Sequence, residues 1–283
     1  MPRRSPGAKA KRLARELAAD RDRVGLNLRE AAEAMGWDKS TLSRIETGKR
    51  NMSYEEAVQL IGLYKVSGDR RDRLLNMART MHEAGWWEQG LRGLPADTSS
   101  LADYESEAKR ITNWAPLMIP GLLQTMEYGR TWMLADGLDP EDVEVRLTAR
   151  LRRQHILTGD VQYAAFIGEP ALHAEVGGLQ VLSTQLGALL DMAQRPNVTI
   201  RVVPSRVGAH RGQLGGFLAL EFDEFSPVVH VELVRSGVFL DDTTLTDPYM
   251  EALTHLSRVA MGETESLRTI TATKGEVDSR WTS

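Results

Sequence analysis

The 283-residue chain contains no cysteine. That removes disulfides, thiolate metal sites and cysteine nucleophiles together, and it suits a reducing cytoplasm. No run of about eighteen apolar residues occurs, so no membrane span is expected. The first residues, MPRRSPGAKAKR, are basic but lack the apolar stretch of a secretory leader. Enzyme signatures are missing too: neither G-x-S-x-G nor H-E-x-x-H is present. The six histidines are scattered. The pairs His230 with Glu232 and Glu169 with His173 have no third ligand or nucleophile beside them. No enzyme, metal or cofactor is therefore expected. Internal repeats and low-complexity tracts are also missing.

What the chain does have is an uneven charge. Its formal net charge is −4, yet residues 1–50 hold 13 Lys/Arg against 7 Asp/Glu, leaving −10 on the remainder. A basic head on an acidic body suggests that the head alone meets a polyanion. A charged, solvated N-terminus gives the same count.

Helical patterns fill the first 84 residues. Residues 8–24 carry Leu13, Leu17 and Val24 among charges, and Gly25 ends them. Asn27 with Glu30 reads as a capping box for a helix over about 28–35, closed at Gly36. Asp38 can cap a third helix over about 39–47, with Gly48 at its end. Ser53 with Glu56 opens a fourth through Tyr64, and Asp69 a fifth through about Ala84. The aromatic run at 85–87 and the Gly/Pro/Ser-rich stretch 88–100 then mark a linker.

Beyond residue 100 the texture changes. Helical patterns cover about 101–114, 121–136 and the stretch from Asp139 to Leu157, with Pro140 at a first helical position. Strand-like runs follow at 161–167, 197–203, 216–222, 228–233 and 237–240, with a helix at about 179–194 between the first two. A last helix covers about 246–261, and a polar tail follows. The expected fold class is α+β. A five-helix all-α DNA-binding domain (1–84) and a linker (85–100) precede an α+β domain with a small, mostly antiparallel sheet (101–262). Residues 263–283 are expected to be the polar tail.

The third helix carries the chemistry. At about 100° per residue, Leu42 and Ile45 share one side, while Ser40, Ser43, Arg44 and Thr47 lie opposite. Two short helices joined by a Gly-containing turn, the second polar on one side, are the parts of a helix-turn-helix. Lys39, Ser40, Thr41 and Arg44 are the candidate base-reading residues. Arg44 can take guanine O6 and N7 in a two-pronged bond, and Lys39 can reach the same atoms singly. Ser43, Lys49, Arg50 and Arg29 are the candidate phosphate contacts. A solvated helix would have much the same composition. The DNA reading gains from two capped short helices sitting in a basic N-terminal domain.

The motif GLNLREAAEAMGWDKSTLSRIETGKRN (25–51) resembles the DNA-binding domain of XRE-type regulators, relatives of phage Cro and repressor proteins. The resemblance implies a five-helix domain. It also implies an ion pair between Arg21 and Glu46, a structural bridge and not a DNA contact. Where that family often carries a phosphate-contacting Gln at the start of helix two, this chain has Leu28. The segments at 85–87, 104–128, 150–157 and 196–222 resemble the C-terminal domain attached to many actinobacterial XRE regulators. That family is described as antitoxin-like and is often encoded beside a small partner protein.

Two features of the second domain leave alternatives open. Trp114 and Pro116, before PGLLQT, line an apolar groove, or Trp114, Leu117, Ile119 and Leu122 are core. The loop GAHRGQLGGF (208–217) cradles an anion through its N–H groups and Arg211, or is a simple turn. It has neither P-loop nor dinucleotide spacing.

The function expected is a cytoplasmic, sequence-specific transcriptional regulator that binds double-stranded DNA. Its C-terminal domain would dimerise, or bind a small-molecule ligand or a small partner protein. The alternative is an antitoxin-like interaction module that sequesters a small protein and uses DNA binding for autoregulation.

Overall fold

The computed structural model describes residues 8–81, 96–223, 226–234 and 236–282. It divides into two compact units, Met1–Gln89 and Gly90–Ser283. The aromatic run 85–87 and most of the expected linker lie outside the described residues.

The first unit is a cluster of five helices: α1 (Ala8–Arg23), α2 (Leu28–Ala34), α3 (Lys39–Glu46), α4 (Tyr54–Leu63) and α5 (Gly68–Thr80). Both capping boxes form. Asn27 Oδ1 accepts from the N–H groups of Arg29 and Glu30, and Glu30 reaches back to the Asn27 N–H at 2.9 Å. Ser53 and Glu56 do the same at the head of α4. Asp38 occupies the cap position of α3 without a side-chain bond, and α5 begins at Gly68 behind Ser67, not at Asp69. Gly48 has φ 63, a left-handed turn in which a Cβ would stand 2.8 Å from Lys11 Cγ. Leu13, Leu17, Leu42, Ile45, Leu60, Ile61 and Leu74 fill the centre. Val24, expected with them, is 37% exposed.

The second unit is built on one six-stranded sheet. Its strands are β1 (Arg110–Ala115), β2 (Gln162–Gly168), β3 (Val198–Val203), β4 (Phe217–Glu221), β5 (Val228–Glu232) and β6 (Gly237–Leu240), in the spatial order β3-β2-β1-β4-β5-β6. The sheet is mixed, which corrects the expectation of a mostly antiparallel one. β1, β2 and β3 run parallel, while β4, β5 and β6 run antiparallel. The cause is connectivity. Helices α7 (Met126–Ala135) and α8 (Pro140–Gln154) carry the chain from β1 to β2, and α9 (Leu179–Met192) carries it from β2 to β3. Parallel neighbours need such crossovers, whereas hairpins suffice for β4 to β6.

Two further expectations are corrected. Residues 101–114, expected as one helix, are a helix and a strand: α6 (Ala96–Glu107), then β1. Residues 263–283, expected as a tail, form α11 (Glu263–Thr282). It packs along α9 and against β3, burying Ser266, Ile270, Thr273 and Val277. Ser266 Oγ accepts the Val202 N–H at 2.9 Å, and Met261 N–H donates to Val202 O at 2.8 Å. The edge strand β3 is thereby covered, which removes a template for unwanted pairing. On one sheet face, α10 (Thr243–Val259) covers Trp114, Phe217, Ala219 and Val229 with Ala252, Leu253 and Leu256. On the opposite face the register sets Tyr163, Ile111, Leu220 and Val228 in one row.

Candidate nucleic-acid interface

Eight residues of α3 span about 12 Å at 1.5 Å per residue, matching the width of a major groove. Leu42 and Ile45 are fully buried and fix the helix's rotation. Burial of each is worth about 1.5–3 kcal/mol. With those two inward, Lys39, Ser40 and Arg44 face solvent, and Thr41 and Ser43 are half-buried at the margin. Arg44 lies along its own helix, its Nε donating to Ser40 O at 3.1 Å. Thr47 Oγ1 donates to Ser43 O at 2.7 Å.

The end of α3 is locked from two sides. Arg21 of α1 donates from Nε and Nη2 to the two oxygens of Glu46, at 2.9 and 3.1 Å. The two side chains are only 12% and 8% exposed. Bonding to Glu46 holds the Arg21 guanidinium above its ordinary pKa. Tyr64 at the end of α4 adds its hydroxyl to Glu46 Oε1 at 3.4 Å. Burial first, and the Glu46 charge second, push that phenol well up. The pairing of Arg21 with Glu46 matches what the resemblance implied. The Tyr64 contact is not legible in the sequence, which shows the period of the ring and not where its hydroxyl lands.

The candidate phosphate contacts separate. Lys49 is exposed just past α3. Its N–H and that of Arg50 both donate to Arg44 O, at 2.7 and 2.9 Å, and so cap the helix. Arg50 is half-buried and binds Glu56 through both terminal nitrogens, at 2.7 and 3.2 Å. Its fork is therefore occupied by the same carboxylate that closes the α4 capping box. Arg29 is exposed and lies 3.2 Å from Glu33, a solvent-screened pair worth little.

In the second unit, Trp114, Ile119 and Leu122 are core, whereas Leu117 is 71% exposed. The glycine-rich loop is tied down. Trp114 Nε1 donates to Gly212 O at 2.7 Å, His210 Nδ1 accepts the Gly212 N–H at 3.1 Å, and Arg211 pairs with Glu251. Burial, then His255, lowers the His210 pKa. His230 is buried against the Phe239 ring, 4.6 Å between centroids, and Glu232 is exposed. Glu169 accepts the Ser205 N–H at 2.8 Å, and that bond holds its carboxyl below the usual range. Among the described residues no three metal-ligating side chains cluster, and no helix is long and apolar enough to cross a membrane.

A short helix held by two buried aliphatics, with its polar face open beside a basic turn, is the working part of a helix-turn-helix. Residues 12–74 match the family described as a helix-turn-helix domain, and the first unit is a DNA-binding module of that class, as found in regulators. Residues 98–272, more than half of the chain, match the family described as a domain of unknown function (DUF5753), and the chain belongs to that family. No curated protein and no solved structure matches the chain.

Proposed function

We propose that the chain is a sequence-specific transcriptional regulator of the XRE type that acts in the cytoplasm. In this reading α3 enters a major groove, with Lys39, Ser40, Thr41 and Arg44 at base edges. Ser43, Lys49 and Arg29 meet phosphates. Arg50, its charge matched by Glu56, braces the turn. The observation that carries this reading is the buried pair Leu42 and Ile45, which leaves Ser40 and Arg44 open on the other side of the same helix.

One such helix reads only a few base pairs. Useful specificity then comes from a homodimer on half-sites about 34 Å apart, with the second unit joining the protomers. The deciding experiment is selection of bound DNA from a random pool at two salt concentrations. A shared half-site sequence that survives the higher salt supports the reading. Recovery of unrelated sequences, lost as salt rises, would mean phosphate-only binding and would sink it.

A second reading draws on the net charge of −10 beyond residue 50 and on the antitoxin-like resemblance of the second unit. Here the second unit sequesters a small basic protein, and DNA binding serves autoregulation. Co-purification with the product of the neighbouring gene at micromolar concentration supports it, and failure to form that complex rejects it.

A further inference from the structure

The second unit contains a half-buried cation, Arg150, that forms no ion pair with a carboxylate among the described residues. Arg150, on α8, points into the turn formed by Gly121, Leu122, Leu123 and Gln124. One glycine, Gly129 of α7, lets it approach, while Gly121 lies at ordinary contact distance. A Cβ at Gly121 would stand 3.7 Å from Arg150 Nε, and one at Gly129 would stand 2.9 Å from Nη1. The Nε is buried with no hydrogen-bond partner among the described residues. Among the described residues, the partner of this guanidinium is the neutral amide oxygen of Gln124. That amide is itself oriented, because Gln124 Nε2 donates to Ile119 O at 2.7 Å. Gln154, one turn further along α8, fixes the same loop by donating to Gln124 O at 2.7 Å.

The nearby carboxylate is already used. Glu105 of α6 binds Arg153 through both oxygens, each at 2.6 Å, with side-chain exposures of 1% and 12%. Two guanidinium groups therefore share this interior with one buried carboxylate. Arg153 and Arg146 repel Arg150, while Glu232 and Glu105 attract it from beyond ion-pair distance. Burial and those like charges push the Arg150 pKa down to about 10. A second buried donor, the Tyr163 hydroxyl, also has no hydrogen-bond partner among the described residues and also feels Glu105 and Arg153.

A charge held largely away from water without a counter-charge is unfavourable, and an apolar side chain of similar volume would pack this position at lower cost. This position instead gives the cation one close-approach glycine, Gly129, and an oriented amide, Gln124. We propose that Arg150, with Gln124 and the Gly121–Gln124 turn, forms a binding site for a small anionic metabolite, carrying a carboxylate or a phosphate, whose charge completes the ion pair. Recognition is by a planar two-pronged contact, which a guanidinium gives and an ammonium does not. The site lies wholly in the second unit and is tested without DNA, so its failure would leave the DNA reading untouched.

The test is thermal unfolding of the full chain in inorganic phosphate, in succinate and in chloride, at matched ionic strength. One of the two oxyanions should raise the midpoint by roughly 5–10 °C when in hundredfold excess over its Kd, and chloride should not. Which oxyanion acts identifies the ligand's anionic group. Arg150→Met should abolish the rise, and Arg150→Lys should keep only part of it. Equal responses of wild type and Arg150→Met, or no response to either oxyanion, overturn the proposal. Should Arg150→Met not fold, the Nε–H resonance of Arg150 in the wild-type chain decides, identified by its loss in Arg150→Lys. A saturating shift with oxyanion supports the site, and an unmoved resonance rejects it.

Discussion

Replacing Glu46 by Gln changes little in shape and removes one charge from a nearly closed site. In the structure both Glu46 oxygens accept from Arg21, one at 2.9 Å and one at 3.1 Å, and Tyr64 adds a third bond. Glutamine keeps one acceptor for Arg21 and turns the other into an NH2 group facing a guanidinium. One charge-assisted bond is lost, and Arg21, 12% exposed, is left with Asp22 and the Leu26 carbonyl. Charged hydrogen bonds contribute about 1.5–3 kcal/mol, so the anchor of α3 to α1 should weaken by about 2 kcal/mol. That corresponds to a roughly thirtyfold loss of protection if exchange occurs by local opening of α3. The assay is native-state hydrogen exchange of the full chain, read at the Leu42 and Ile45 amides. Unchanged protection there would show that the buried aliphatics alone hold the helix, and that the ion pair is incidental.

Other expectations are as specific. Arg44→Ala should cost about 1–3 kcal/mol on the best selected site and relax preference at one base position, whereas Lys49→Ala should weaken all sequences alike and reduce the salt slope by about 1; equal binding of Arg44→Ala and wild type would remove Arg44 from the interface. Gly48→Ala forces a φ of 63 on a residue with a Cβ and drives that atom to 2.8 Å from Lys11 Cγ. It should lower stability by about 1 kcal/mol or more, seen as a reduced midpoint in thermal unfolding. Glu169 is held below the usual carboxylate range by the Ser205 N–H. Its stabilisation is complete above about pH 4.3 and is lost as pH falls through the lowered folded value, so Glu169→Gln should flatten the acid side of a stability profile. An unchanged acid limb would show the bond to be inconsequential.

The first unit was legible in the sequence because its signals are local. Asn27 with Glu30 and Ser53 with Glu56 are capping boxes, and glycines close the helices between them. The second unit was less so, because its decisive pairing is long-range. β1, RITNWA, alternates too briefly to announce a strand and follows directly on a helical pattern; it is defined by neighbours at residues 162–167 and 217–221. With β1 unseen, α7 and α8 could not be read as a crossover from β1 to its parallel neighbour β2, and the strand–helix–strand run from 161 to 203 stood alone. The last twenty residues misled for a related reason. Their apolar content is low, and α11 buries small hydroxyls, Ser266 and Thr273, beside Ile270 and Val277. A hydroxyl that satisfies a backbone group of another element, as Ser266 does for Val202, looks in a sequence like a solvent-facing one.

The same limit applies to the cations beside α3. Lys49 and Arg50 are adjacent and look equivalent in the sequence, yet only Arg50 has its charge matched, by both oxygens of Glu56. That difference yields opposite signatures. Arg50→Ala should lower stability by about 1 kcal/mol, since a bidentate pair at 32% and 21% side-chain exposure is lost at the head of α4. Its salt slope on DNA should change by well under one unit, because the arginine brings little unmatched charge to the phosphates. Lys49→Ala should do the reverse, with an unchanged unfolding midpoint and a slope smaller by about 1. If Arg50→Ala instead lowers the slope by a full unit and leaves stability alone, Glu56 releases the arginine when DNA arrives. The brace would then be a phosphate clamp, and Glu56→Gln should tighten binding to every sequence.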